Sequence, residues 1–103
     1  MAYVLRFVQR FRVSEQAAFL ELEKQFAELE RRSEGWPRGR RMRPLSGREP
    51  GNTLIWECEF PTLEEVHAAI RTMDASPDHA RLFAMQSPMM LDAWTEIHEV
   101  LCE

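Results

Sequence analysis

Cysteine is scarce in this sequence, at two of 103 residues. Cys58 sits inside a strand-like run and Cys102 near the C-terminal end, with no C-x-x-C spacing and no framework of pairs, so idle or buried thiols are expected rather than a disulfide scaffold. Long apolar runs are also missing. None approaches the roughly 20 residues that span a bilayer, and the opening Met-Ala-Tyr-Val-Leu-Arg-Phe is soon broken by charge rather than running into a signal-peptide core. The expected location is therefore the cytoplasm, with no membrane partner. A Gly-rich phosphate loop, zinc-ligand spacing and a nucleophile elbow are all absent, which leaves the nucleotide-dependent, zinc and hydrolase classes without a motif. There is no repeat, linker or low-complexity segment.

What is present suits a single domain over residues 1–103: 45% of residues are hydrophobic, with six Phe and three Trp, ample for one core. The formal charge of −4 is unevenly spread. Between residues 31 and 49, seven arginines (31, 32, 38, 40, 41, 43 and 48) face only Glu34 and Glu49, a local +5, so the rest carries −9. Such a strip can meet an anion or an acidic face of a second subunit. Only Trp36 accompanies it as a stacking group and the chain as a whole is acidic, so a charge-guarded edge strand is expected and no nucleic-acid partner.

Periodicity places the elements. Tyr3, Leu5, Phe7 and Phe11 alternate with Val4, Arg6, Val8 and Arg10, predicting a strand over Tyr3–Val13. Ser14 reads as an N-cap, and Phe19, Leu22, Phe26 and Leu29 form one helical stripe that Gly35 and Pro37 end. Two extended runs, Arg40–Leu45 and Thr53–Phe60, flank a turn containing Gly47, Pro50 and Gly51, predicting a hairpin. Thr62 and Glu65 make a capping box before a helix whose buried stripe is Leu63, Val66, Ile70 and Met73. Ser76-Pro77-Asp78 restarts the helix over Asp78–Gln86 with Leu82 and Phe83, and Pro88 ends it before a last strand over Ala93–Leu101.

The order strand, helix, strand, strand, helix, strand is the ferredoxin-like βαββαβ pattern of an α+β domain: a four-stranded antiparallel sheet with helices on one face. Leu54, Trp56, Cys58 and Phe60 should lie under the helices. Ile55, Glu57 and Glu59 should share the open face with Val4, Arg6, Val8 and Arg10. For the last strand, Trp94, Glu96, His98 and Val100 are assigned to the open face because they match its mixed charged and apolar character. Glu57, Glu59, Glu96 and His98 could in principle ligate a divalent metal, but Arg6 and Arg10 beside them favour cross-strand salt bridges, so no metal is expected.

With this order, the opening Tyr-Val-Leu-Arg-Phe-Val strand, the run Trp56-Glu57-Cys58-Glu59-Phe60-Pro61-Thr62-Leu63-Glu64-Glu65 and Ser76-Pro77-Asp78-His79, the chain resembles the dimeric α+β barrel superfamily, which includes antibiotic biosynthesis monooxygenase-like and NIPSNAP-like proteins. The resemblance implies a homodimer formed through the open sheet face, with Arg6, Arg10, Glu57, Glu59 and His98 at its seam, and a small-molecule ligand held between sheet and helices or inside the barrel. Its haem-degrading branch implies an iron-ligating His, which His79 matches, but Ala68-Ala69-Ile70 stands where a Trp is required and the first strand has no Asn. The cofactor-free monooxygenase branch implies no cofactor and oxidation of an electron-rich aromatic metabolite. In that reading the candidate catalytic residues are His67, His79 and His98, since a His can take a proton at neutral pH. The candidate ligand-binding residues are Arg6, Arg10, Trp56, Glu57, Glu59 and Trp94. Against this, His67 borders its helix's buried stripe and His79 reads as a helix-terminal surface residue. The alternative is a non-catalytic homodimeric binding or interaction module.

Overall fold

The computed structural model describes residues 2–102. Strand β1 (Ala2–Phe11) leads through a short 3-10 turn into helix α1 (Gln16–Arg32). The short strand β2 (Arg40–Met42) and the long strand β3 (Thr53–Phe60) follow. Helices α2 (Leu63–Asp74) and α3 (Pro77–Gln86) then precede a second 3-10 turn and strand β4 (Met90–Val100). The sheet runs in the order β2-β3-β1-β4, and every neighbouring pair is antiparallel. This is the expected βαββαβ topology, with β2 and β4 as its edges.

Register fixes the two faces. Arg6 lies opposite Glu57 on one side and Glu96 on the other; Val8 lies opposite Ile55 and Trp94; Val4 opposite Glu59 and His98. Because side chains alternate along a strand, these residues share the open face, and the assignment of Trp94, Glu96 and His98 to it holds. The other face carries Leu5, Phe7 and Trp56, which pack with Val66, Ala69 and Met73 of α2. A second cluster joins Leu22, Phe26 and Leu29 of α1 to Leu82 of α3, and a third joins Phe11, Phe19 and Leu54. Trp36, in the loop before β2, packs against both of the first two.

The capping chemistry at α2 and α3 is as the sequence implies. The Thr62 hydroxyl accepts from the Glu65 backbone N–H, Ser76 does the same for His79, and Pro77 occupies the first turn of α3 where no N–H is needed. Gly35 at φ 73° takes the left-handed conformation that ends α1.

Five expectations are corrected. Ser14 does not cap α1: it sits inside the Val13–Glu15 turn, and the helix begins at Gln16. The cause is upstream, where the Phe11 N–H bonds the Asn52 carbonyl and the Arg12 N–H the Met89 carbonyl, ending β1 at Phe11 rather than Val13. Pairing of β2 stops at Met42, since Pro44 has no N–H to offer a ladder and Leu45 points into solvent at 96% exposure. β4 starts at Met90 and ends at Val100, pairing directly after the Ser87–Met89 turn. Leu63 and Phe83 are each 43% exposed rather than buried, and Ala69 lies in the α2 core instead. Among the described residues, no helix is long and apolar enough to cross a membrane.

Candidate functional site

The first two core clusters do not close on each other. Between the helix-covered face of the sheet and α1, α2 and α3 they leave a cavity of about 230 Å³. Its walls are aromatic: Phe7 and Trp56 stack with centroids 5.0 Å apart on the sheet side, while Phe26, Trp36 and Phe83 close it from the helices and the loop. Segment 93–95 of β4 forms the remaining wall, where no helix covers the edge strand and Ala93 and Thr95 are exposed. Trp94 is among the lining residues, while its indole N–H donates to Glu96 at 2.7 Å.

His79 reaches this cavity. It is the third residue of α3, its backbone N–H held by Ser76, and its ring lies edge-on to Phe26 at 5.1 Å and tilted against Trp36 at 6.3 Å. Burial lowers its pKa, and the fields of Asp74, Glu23 and Glu30 only partly oppose that, so the imidazole is neutral at pH 7. It has no ring hydrogen bond among the described residues, which leaves both nitrogens available. The reading of His79 as a surface residue is therefore corrected: the sequence position is helix-terminal, but the helix end faces the core.

The polar wall comes from residues that the sequence did not single out. Arg41 projects from β2 under the helices, donating from Nε to Glu23 at 2.6 Å and from its two terminal nitrogens to Glu30. Burial alone would lower its pKa, but hydrogen bonds and the field of Glu30 and Glu23 prevail and raise it, so the guanidinium stays charged. Glu30 also accepts from the Gly39 N–H and the Trp56 indole, and Glu23 from Gln86 Nε2 at 2.9 Å. One signal of this was in the sequence. Leu22-Glu23 and Leu29-Glu30 repeat at a seven-residue interval, two helical turns, which places both carboxylates on the flank of the buried stripe.

The other candidates fall elsewhere. Trp56 lines the cavity. Arg6, Arg10, Glu57 and Glu59 are on the opposite, open face, where Glu57 receives Arg6 at 2.7 Å and Arg40 at 2.5 Å, and Arg10 reaches Asp92 at 3.8 Å. His98 is exposed on that face and bonded to Glu96 at 2.7 Å; His67 is exposed on α2. The three histidines do not form one site. Among the described residues, no group of three or more His, Cys, Asp or Glu is placed to hold a metal ion. The arginine strip is largely engaged within the chain, through Arg40 to Glu57, Arg41 to α1, and Arg43 to the Gly51 carbonyl and Gln16.

Solved structures share this architecture. A NIPSNAP family protein from Agrobacterium tumefaciens superposes with a TM-score of 0.76 at 13% identity, over 94% of this chain and 83% of that one. A NIPSNAP domain protein from Burkholderia xenovorans gives 0.76 at 14% identity over 100% and 99%. An antibiotic biosynthesis monooxygenase gives 0.74 at 14% identity over 99% and 100%. The fold is that of the antibiotic biosynthesis monooxygenase-like and NIPSNAP proteins. Identities this low establish shared architecture and leave the chemistry to the residues of this chain. No family model matches the sequence, and no curated protein is significantly similar to it. In this chain the helix-side cavity combines aromatic walls, one neutral imidazole and a buried ion-paired rim.

Proposed function

We propose that the protein binds a small, electron-rich aromatic molecule in the cavity between sheet and helices and oxidises it without a prosthetic group, as a homodimer joined through its open sheet faces. The observation that carries this reading is the neutral, unbonded imidazole of His79 facing an aromatic cavity. At about 230 Å³ the space is slightly under the roughly 300 Å³ lower end of ligand pockets, which restricts the occupant to a compact ring system. His79 is the general base. It removes a proton from a ring hydroxyl, raising the electron density of the ring so that an activated ring CH2 carbon can reduce dioxygen. One oxygen atom becomes a carbonyl at that carbon, and the other leaves as water with the carbon's two hydrogens. The four-electron reduction of dioxygen is balanced by the substrate's loss of two hydrogens and formation of the C=O bond. The shared fold with a solved antibiotic biosynthesis monooxygenase supports this choice of chemistry.

The test is oxygen uptake with compact hydroxylated aromatic substrates that carry an activated ring CH2, by the wild type and by His79→Gln, His67→Ala and His98→Ala. Loss of roughly 10²–10⁴-fold in His79→Gln alone is expected, the usual contribution of a general base. Equal activity in all four proteins would remove His79 from the mechanism. The modest cavity size favours one second reading, a non-catalytic homodimer that holds a small molecule; its signature is saturable binding without oxygen uptake.

A further inference from the structure

The charged rim of the cavity is unbalanced. Glu23 and Glu30 enclose a single guanidinium, that of Arg41, so the buried wall carries one net negative formal charge. Hydrogen bonding shows the same imbalance. Glu23 is 7% exposed and each of its oxygens has one donor, although a carboxylate oxygen can accept two. Glu23, which lines the cavity, therefore keeps acceptor capacity for a donor carried by the ligand. Beside these carboxylates the cavity offers the indole of Trp56 and the rings of Trp36 and Phe26, whose negative faces attract cations.

We propose that the ligand of this cavity carries a protonated amine on its aromatic frame, the ammonium lying against Glu23 and Glu30 and the ring among Trp36, Trp56 and Phe26. This rests on the cavity being the ligand site. It also fits the proposed chemistry: proton transfer to His79 leaves an imidazolium and an aromatic anion together, adding no net charge, and an ammonium on the same molecule offsets the −1 that the wall already carries. A ligand that enters already as an anion is disfavoured by the same −1.

The experiment titrates the intrinsic tryptophan fluorescence of the wild-type protein with three probes that share a phenol ring and differ in charge: tyramine, tyrosol and 4-hydroxyphenylacetate. Tyramine should bind at least tenfold more tightly than tyrosol, and 4-hydroxyphenylacetate more weakly still. In Glu23→Gln, which keeps an acceptor for Arg41 but removes the surplus charge, the preference for tyramine over tyrosol should fall to within about threefold. Comparable affinity for all three, or preference for the carboxylate, overturns the amine assignment while leaving the cavity as the ligand site. Absence of binding by every probe overturns both. Should Glu23→Gln fail to fold, the wild-type series decides alone.

Discussion

Gly39 is where the loop before β2 crosses the Trp56 indole, and a Cβ at that position would lie inside the ring. Its N–H is also one of the donors to Glu30. Gly39→Ala must displace either the indole or the loop, both walls of the cavity, and should destabilise the protein by about 1–3 kcal/mol, as overpacking does. Urea unfolding should show a lower midpoint with an unchanged slope. Nothing in the sequence marks this glycine, since the close approach joins residues brought together only by the sheet. His79 was legible as a candidate but not as an interior group, because a helix end looks exposed until the packing of α3 on α1 is known. Its lowered pKa sets a pH dependence. The base is competent when neutral, so kcat/KM should be flat above the ordinary histidine value of about 6.5 and fall only as pH drops below it. A profile that rises through pH 7–8 would assign the base to another group.

At the scale of elements, Glu57 ties three strands together, standing on β3 between Arg6 of β1 and Arg40 of β2. Burial would raise its pKa, but the hydrogen bonds from Arg40 and Arg6 outweigh this and hold it below the usual carboxylate range. A carboxylate depressed in the folded state contributes stability above its unfolded pKa of about 4.3 and loses that contribution as pH falls through the folded value. Acid denaturation should therefore begin at the sheet edge bearing β2. Glu57→Gln should cost about 1 kcal/mol at pH 7, because Arg40 is largely exposed and Arg6 partly so and solvent screens both pairs, and should flatten stability against pH below 4.5. An unchanged acid limb would exclude Glu57 as its source. The strand alternation and the Arg-to-Glu character of the open face were readable because a period of two leaves only one alternative phase. The start of α1 was not: Ser14 has the chemistry of a cap, but long-range bonds to Asn52 and Met89 determine where β1 releases the chain. The interior was equally specific, with Phe19 at 0% exposure stacked on Phe11 at 4.6 Å. Phe19→Ala should cost about 3–5 kcal/mol in the same urea assay.

At the scale of the whole molecule, the open face offers Val4, Ile55 and Trp94 as partly exposed apolar ground with both signs of charge around it, a composition that can be complementary to itself across a two-fold axis. Sedimentation at micromolar concentration should give the mass of a dimer, and Val4→Arg or Ile55→Arg should shift it to monomer; a wild-type monomer would contradict the proposed assembly. The cavity lies on the other side of the sheet, so dimer formation and ligand binding should be separable by mutation. The fold was legible as a whole because element order and two hydrophobic periods converge on one topology. The cavity was not, because it is the space the two core clusters leave unfilled and belongs to no single segment. The most direct test of its role is a two-dimensional NMR titration that follows the indole N–H of Trp56 and Trp36 and the His79 ring with tyramine. Saturable shifts of these groups are predicted. Shifts absent from them would contradict the assignment of the helix-side cavity as the functional site.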